Sequence, residues 1–278
     1  MVNLIKMDVR RLFHSKAFFV VLILSAVISL FTLSAILGFA KMYLTISDAG
    51  GYEMSAEEYM VIREVFHLDW VEEGAEIGEL IYIVLDISLF FSCILTAVFV
   101  IAEHESGYIK NIAGQIPNRG MLAISKLCPV LVYNFCIIAV FCLAASFAGL
   151  IFVPHIFSGN IPLLIEVLLT KFLLYIAVDT IILFICMTTK NKAFSVGVSV
   201  VSGLGVTGTL YDAISLFLSK VFGGIDISIS KFIPDGINGQ ISLASNTSTI
   251  IQALVVAVVY TVIFSCLSYM SLKKLDIK

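Results

Sequence analysis

The stretch FFVVLILSAVISLFTLSAILGFA, residues 18–40, decides the fold class of this protein. It contains no charged side chain, and a bilayer core about 30 Å thick takes roughly 20 apolar residues per helical span. The stretch is also longer than the apolar region of a secretory signal, which covers about 7–15 residues. It therefore predicts a transmembrane helix that is retained in the mature protein.

The composition of the whole chain agrees with a lipid environment. Of its 278 residues, 60% are hydrophobic and 13% are charged, whereas soluble domains contain about 45–50% apolar and about 25% charged residues. A water-soluble fold of this size cannot hide that much apolar surface. All six cysteines fall in apolar stretches without metal-ligand spacing, so we expect them to be small core residues.

Five further apolar intervals have the length of a membrane span, which predicts an all-α integral membrane protein with six transmembrane helices. The predicted transmembrane domain, residues 18–278, contains spans at 18–40, 81–102, 127–152, 163–187, 193–218 and 248–271. Residues 1–17 form a separate element, an amphipathic helix lying in the membrane interface. Its predicted polar face carries four charged residues, Lys6, Asp8, Arg10 and Arg11.

The basic residues predict which side of the membrane each connection faces. Segments on the side of the N-terminus carry four basic residues before span 1, three between spans 2 and 3, two between spans 4 and 5, and three after span 6. The opposite loops carry four in total. Since basic residues concentrate in cytoplasmic loops, both termini are predicted to be cytoplasmic.

Two longer segments are consequently predicted to lie outside the cell. The loop 41–80 contains ten acidic and two basic residues, and part of it has the apolar spacing of an amphipathic helix. The segment 219–247 mixes glycine and proline with short apolar pieces. It is predicted to form short outer helices that dip into the outer leaflet, between spans 5 and 6.

The sequence lacks the motifs of common membrane-associated enzymes. No GxxxxGK[ST] loop is present to hold nucleotide phosphates, and His104 with Glu105 lacks the second histidine of an HExxH site. We therefore expect no catalytic residue, metal site or cofactor on this chain, and no nucleic-acid partner. A membrane-embedded enzyme with an unrecognised motif, or a non-transporting scaffold or sensor, remain alternatives.

Two stretches resemble a known family of transporters. The opening NLIKMDVRRLFHSK and the connection EHESGYIKNIAGQIPNRGMLAISK, residues 103–126, are similar to the corresponding segments of permease subunits of type-2 ABC exporters. The six-span layout resembles the same family over essentially the whole chain. The resemblance implies a bacterial cytoplasmic membrane protein that exports peptides, toxins, antimicrobials or drugs by alternating access.

The resemblance also implies the partners. Two cytoplasmic ABC ATPase subunits would bind ATP and Mg²⁺, and a second permease copy, expected to be identical, would complete the complex within the lipid bilayer. The apolar spans, in a chain with 21 Phe and 10 Tyr, favour an amphipathic or hydrophobic substrate over a sugar or an ion.

In the resembled family, the connection between spans 2 and 3 docks on the ATPase. A docking element has to be short and rigid, and here Gly107 supplies a turn, Pro117 a stop and Arg119 a charged anchor. Glu103 and Glu105 are expected to brace the helix. Arg119 is expected to pair with an acid or a lipid phosphate. The alternative is that Pro117 to Arg119 form only a solvated turn. The predicted ATPase-coupling residues are Glu103, Glu105, Gly107, Pro117, Arg119 and Lys126.

We single out four ionisable residues inside predicted spans, Asp86, Glu166, Lys171 and Asp179. Each costs about 2.5–3.5 kcal/mol at the centre of a membrane and so requires a partner or a water-filled path. Asp86 and Lys171 lie at similar predicted depths near the outer leaflet, which predicts that they pair. Such a pair either stabilises helix packing or contacts the substrate.

Span 5 is rich in small residues, which let helix backbones approach closely in lipid. In the resembled family, the two permease copies meet through spans 1 and 5. The alternative is packing within one subunit. The candidate dimer-interface residues are Ser199, Gly203, Gly205 and Gly208.

Overall fold

The structure is a computed structural model that describes residues 2–48, 56–114, 116, 118–221 and 228–274. Nearly all of its regular structure is helical. In chain order the α-helices are α1 Val2–His14, α2 Lys16–Asp48, α3 Ala56–Phe66, α4 Leu68–Glu72, α5 Ile77–Glu105, α6 Tyr108–Ala113, α7 Met121–Ser125, α8 Leu127–Phe152, α9 Ile161–Thr189, α10 Lys192–Gly203, α11 Val206–Val221, α12 Pro234–Asn238 and α13 Thr247–Lys274. A 3₁₀ turn at Ile229–Phe232 precedes α12.

Five of the described helices, α2, α5, α8 with the preceding α7, α9 and α13, are long and apolar enough to cross a membrane. A sixth span results if α10 and α11 are counted together. The predicted all-α membrane fold is therefore confirmed. The short helical elements after α11 lie in the interval 219–247, of which residues 222–227 are outside the described part.

The first span is longer than its apolar stretch. Helix α2 continues to Asp48, well into the interval predicted as an outer loop. Residues 49–55 of that loop lie outside the described part, and residues 56–72 contain α3 and α4, which meet at His67 with a left-handed φ of 51°. The ring of Phe66 contacts Phe39 of α2, so this predicted amphipathic region packs back onto the first span.

The interval predicted as span 5 is not one straight helix. Helices α10 and α11 are bent by 73° relative to each other at a short break. Gly205 occupies the break with φ +69°, a left-handed conformation that ends a right-handed helix and that residues with a side chain rarely adopt. The sequence analysis recognised the small residues here but predicted an uninterrupted span.

Helices α5 and α9 form the centre of the bundle. In an 18-residue apolar stretch of each helix, 67% of the α5 residues and 61% of the α9 residues are buried, compared with 28% for α2 and 22% for α13. Helix α5 packs against α2, α8, α9 and α10, and α13 packs along α9. Eight of the buried polar side chains of the described residues lie on these two central helices, and the outer faces of α2, α8 and α13 are apolar surfaces suited to lipid.

A small parallel β-pair joins two connections at one end of the bundle. Strand β1, Ala75–Glu76, leads into α5, and β2, Ile156–Phe157, follows α8. Ala75 pairs with Ile156 and Glu76 with Phe157. The two connections were predicted to share a side of the membrane, and this contact brings them together.

Candidate coupling site and membrane cavity

Three charged side chains from distant parts of the sequence meet at the end of the bundle where α5 ends and α8 begins. The Nζ atom of Lys126 lies 2.6 Å from Oδ1 of Asp8 and 2.6 Å from Oε1 of Glu103. Asp8 and Glu103 are fully buried, and Lys126 is 1% exposed. One ammonium group thus links α1 to α5 at the start of α8.

Arg11 completes the electrostatic balance of this site. Its Nη2 atom lies 2.7 Å from Oε1 of Glu103. Its guanidinium group also stands over the rings of Phe99 and Tyr108, at 4.8 and 4.3 Å from their centroids. With two carboxylates and two cations the group is neutral, which lowers the cost of burying each charge. We call Asp8, Arg11, Glu103, Tyr108 and Lys126 the charge cluster.

Helix α6 contributes Tyr108 to the charge cluster. The phenol donates a hydrogen bond to Oδ1 of Asp8 at 3.1 Å, and the hydroxyl of Ser125 donates to Oδ2 at 2.6 Å. Burial, followed by the negative charges of Asp8 and Glu103, raises the pKa of Tyr108, so the phenol stays protonated as a donor. Asp8 consequently contacts both short helices of the 103–126 connection.

The charge cluster corrects the sequence analysis of α1. Asp8 and Arg11 were predicted on a polar face, but Asp8 is buried and Arg11 is partly buried against the bundle. The prediction was wrong because Asp8 stands four residues from both Leu4 and Leu12, a spacing that places all three on one helix face. That spacing could have identified Asp8 from the sequence.

The structure separates the predicted coupling residues into distinct environments. Glu103 and Lys126 join the charge cluster, whereas Glu105 forms an exposed ion pair at 3.3 Å with Lys192, which begins α10. Gly107 makes the turn into α6 with φ +69°. Pro117 lies outside the described residues.

The turn that contains Arg119 is packed against the last span. Arg119 is partly buried, and its neighbour Asn118 donates a side-chain hydrogen bond of 2.6 Å to the hydroxyl of Tyr269 in α13. The next residue, Gly120, is buried. The turn before α7 is therefore anchored to α13, which argues against a purely solvated turn.

The predicted contact between Asp86 and Lys171 is present. Lys171 Nζ lies 2.5 Å from Oδ1 of Asp86 and donates a second hydrogen bond of 3.2 Å to the backbone oxygen of Asn238. The pair is asymmetric, because the lysine is fully buried whereas the Asp86 side chain is 49% exposed. Glu166, near the start of α9, is exposed and makes no ion pair within the described residues.

Asp179 is fully buried and is surrounded by polar side chains. Its Oδ2 atom accepts from Ser92 at 2.5 Å and from the Asn134 amide at 2.6 Å, and its Oδ1 atom accepts from Thr96 at 2.7 Å. Thr96 in turn contacts the hydroxyl of Tyr133. No lysine or arginine of the described chain pairs with Asp179. These polar side chains join α5, α8 and α9 in the centre of the bundle.

The candidate dimer-interface residues face two directions. Gly203 packs against α5 so closely that a Cβ atom there would lie 2.6 Å from the Cα of Phe90, and Ser199 is fully buried one turn earlier. A Cβ at Gly205 or Gly208 would meet nothing within 4 Å. Ser199 and Gly203 thus serve packing within one chain, while a dimer contact through this region stays a prediction.

A cavity of about 620 Å³ opens where α10 and α11 diverge, and we call it the bend cavity. Three carboxylates line it, from Asp86, Asp212 and Asp235. Its apolar wall includes Phe90 and Phe91 of α5. The sequence analysis did not single out Asp212 or Asp235. Asp212 falls inside predicted span 5, so the energetic cost of a carboxylate at membrane depth could have identified this residue from the sequence.

Comparison with known proteins identifies one matching family. The model of a family described as ABC-2 family transporter protein matches residues 60–206, slightly more than half of the chain. The matched region covers α5 to α10, and therefore includes the 103–126 connection and the two central helices. The searches of curated proteins and of solved structures found no match.

Proposed function

Because the chain belongs to the ABC-2 transporter family, we propose that it is the permease subunit of an ATP-driven exporter in the bacterial cytoplasmic membrane. Two cytoplasmic ATPase subunits, which bind ATP and Mg²⁺, would power a pair of permeases, most simply two identical copies. Both termini and the 103–126 connection would face the cytoplasm, in accordance with the basic residues that these segments carry.

The charge cluster is the observation that supports this assignment most strongly. An exporter has to convert ATPase closure into movement of its membrane helices, which requires a rigid link between the docking element and the spans. Tyr108 and Lys126, at the two ends of the connection, both contact Asp8 of α1. Lys126 also lies against Glu103 at the end of α5.

The proposed force path follows from these contacts. An ATPase that moves α6 displaces Tyr108, and a displacement of α6 moves α1, α5 and α8 together because their charges share one buried site. Tyr269 carries the same displacement to α13 through Asn118. Separate movement of any one helix would leave a buried charge without its partner, which costs several kcal/mol, on the order of 3–5.

The proposed cargo is an amphipathic or hydrophobic molecule, of the class of peptides, toxins, antimicrobials or drugs. In this proposal the path between the spans alternates between inward-facing and outward-facing access, and the chain itself performs no chemistry. The bend of 73° between α10 and α11 supports such a path, because it keeps two apolar helices apart and leaves a cavity between them and α5.

The first test is co-purification from the native host. A C-terminally tagged permease, extracted in mild detergent, is expected to bring down a soluble subunit with a phosphate-binding GxxxxGK[ST] loop at one copy per permease. Recovery of the permease alone, or with a partner that lacks this loop, would favour the membrane-enzyme or scaffold alternatives and overturn the exporter assignment.

A variant of the 103–126 connection tests whether the charge cluster transmits force from the ATPase. Tyr108→Phe removes the hydroxyl that donates to Asp8, so it is expected to reduce substrate-stimulated ATP hydrolysis while the ATPase remains bound. Thr188→Ala is the matched control, because the Thr188 hydroxyl bonds only to backbone oxygens of its own helix. Equal ATP hydrolysis in both variants and the wild type would remove Tyr108 from the force path.

A further inference from the structure

We propose that the bend cavity is a binding site for an amphiphilic organic cation, a primary ammonium or guanidinium group attached to an apolar body. This inference rests on the proposed exporter function and specifies its substrate class. The lining contains three carboxylates and no lysine or arginine among the described residues. A cavity with this excess of negative charge attracts a positive group and repels a negative one.

The three carboxylates differ in how far they are neutralised. Asp86 has one oxygen against Lys171, so this pair carries no net charge. Asp235 accepts from the hydroxyls of Thr207 and Tyr211, which are neutral donors and leave its charge in place. Asp212 is exposed and has no hydrogen-bond or ion-pair partner within the described residues. The cavity thus keeps two uncompensated negative charges.

Asn238 provides an independent indication of a ligand. It lines the bend cavity and is only 4% exposed, yet its side-chain oxygen has no hydrogen-bond partner in the described structure. A buried acceptor without a donor costs about 1–3 kcal/mol. An ammonium or guanidinium N–H supplies the missing donor, whereas a second acceptor group does not.

The apolar part of the cavity wall determines the chemistry of the uncharged part of the ligand. Phe90, Phe91, Ile87, Leu89, Leu204 and Ile28 are apolar and lie beside the carboxylates. An apolar body placed against them is removed from water while its charged end stays near Asp212. A zwitterionic lipid headgroup fits less well, because its phosphate would be brought towards two uncompensated carboxylates.

The binding test uses the full-length permease in lipid nanodiscs with dansylcadaverine, a fluorescent primary amine with an apolar ring system. Its N-acetyl derivative has the same body without the charge, and empty nanodiscs measure partitioning into lipid. We expect saturable binding of the amine at one site per chain. The acetylated compound is expected to show only the partitioning seen with empty nanodiscs.

Two variants of the cavity lining and one control variant test whether the amine binds in the bend cavity. Asp212→Asn should weaken binding of the amine by about fivefold, the loss of one partly solvated ion pair. Thr209→Asp adds a carboxylate to the same lining and should tighten binding by about threefold. Glu64→Gln removes a negative charge from exposed α3, outside the cavity, and should leave binding within about twofold of the wild type.

The outcomes separate this inference from the exporter assignment. Equal binding of amine and acetylated probe, or unchanged affinity in both cavity variants when each elutes as a folded protein, would overturn the cation site. An ATPase that still co-purifies would then leave the exporter assignment standing. If Asp212→Asn fails to fold, the gain expected for Thr209→Asp still decides the question.

Discussion

The ammonium nitrogen of Lys126 lies 2.6 Å from Oδ1 of Asp8, across 118 positions of sequence. Both side chains are almost completely buried. The contact joins the interfacial helix α1 to the start of α8, and the same ammonium group neutralises Glu103. The first helix of the chain is therefore part of the bundle and cannot move independently of the spans without separating buried charges.

Replacement of Lys126 by methionine is expected to destabilise the protein severely. The variant keeps the apolar stem but leaves Asp8 without a cation and Glu103 with Arg11 alone. Breaking a buried pair in this way typically costs about 3–5 kcal/mol. The midpoint of thermal aggregation in mild detergent, followed by size-exclusion chromatography, should fall clearly below that of the wild type.

An exposed lysine supplies the control for this experiment. Lys192→Met breaks the pair with Glu105, in which both side chains are more than half exposed, so its effect should stay below about 1 kcal/mol. The double variant Asp8→Asn with Lys126→Met restores neutrality and should recover part of the loss. Equal midpoints for Lys126→Met and Lys192→Met would contradict the proposed role of the charge cluster in stability.

The Asp86–Lys171 pair should respond unequally to removal of either partner. Asp86→Asn leaves a fully buried ammonium group without a carboxylate, beside only the Asn238 carbonyl and the Tyr82 ring, whereas Lys171→Met leaves a carboxylate that is half exposed in the bend cavity. Removal of the aspartate is therefore the more costly change. Thermal midpoints of the two variants measure the difference, and a larger loss for Lys171→Met would show that burial does not govern this pair.

Asp179 should tolerate asparagine and not leucine. Asparagine retains one acceptor for the Asn134 amide and the Ser92 hydroxyl and presents an NH₂ group towards Thr96, whose oxygen can accept. Leucine of similar size leaves all three neighbours without this partner, at about 1–3 kcal/mol for each buried group. Folded yield after purification distinguishes them. Similar yields for Asp179→Leu and the wild type would mean that the polar contacts contribute little.

Gly203 and Gly197 offer a comparison within one helix. Alanine at Gly203 would place its Cβ 2.6 Å from the backbone of Phe90, so α10 has to move away from α5 at a cost of about 1–3 kcal/mol. Alanine at Gly197 meets nothing within 4 Å and improves helix propensity. Thermal midpoints should fall for Gly203→Ala and hold or rise for Gly197→Ala. A comparable fall in both would show that the close approach of Gly203 to α5 is not what distinguishes the two positions.

The sequence by itself determined the fold class and the approximate spans. The predicted intervals 127–152 and 248–271 coincide closely with α8 and α13. Such spans can be predicted because about 20 consecutive apolar residues specify a membrane helix without any long-range contact. The contact of Asp86 with Lys171 also followed from the sequence, since the cost of burying each charge and the matching depths of two neighbouring spans leave few other partners.

Only the tertiary structure decided that the residues of the charge cluster share one site. Asp8 contacts Lys126 because α1 packs against the end of the bundle, and no local sequence pattern predicts that contact. The bend cavity likewise depends on tertiary packing, because residues of α5, α10, α11 and α12 line it together. Periodicity describes one helix at a time, whereas a charge cluster or a cavity depends on the relative placement of several helices, which the sequence specifies only through their packing.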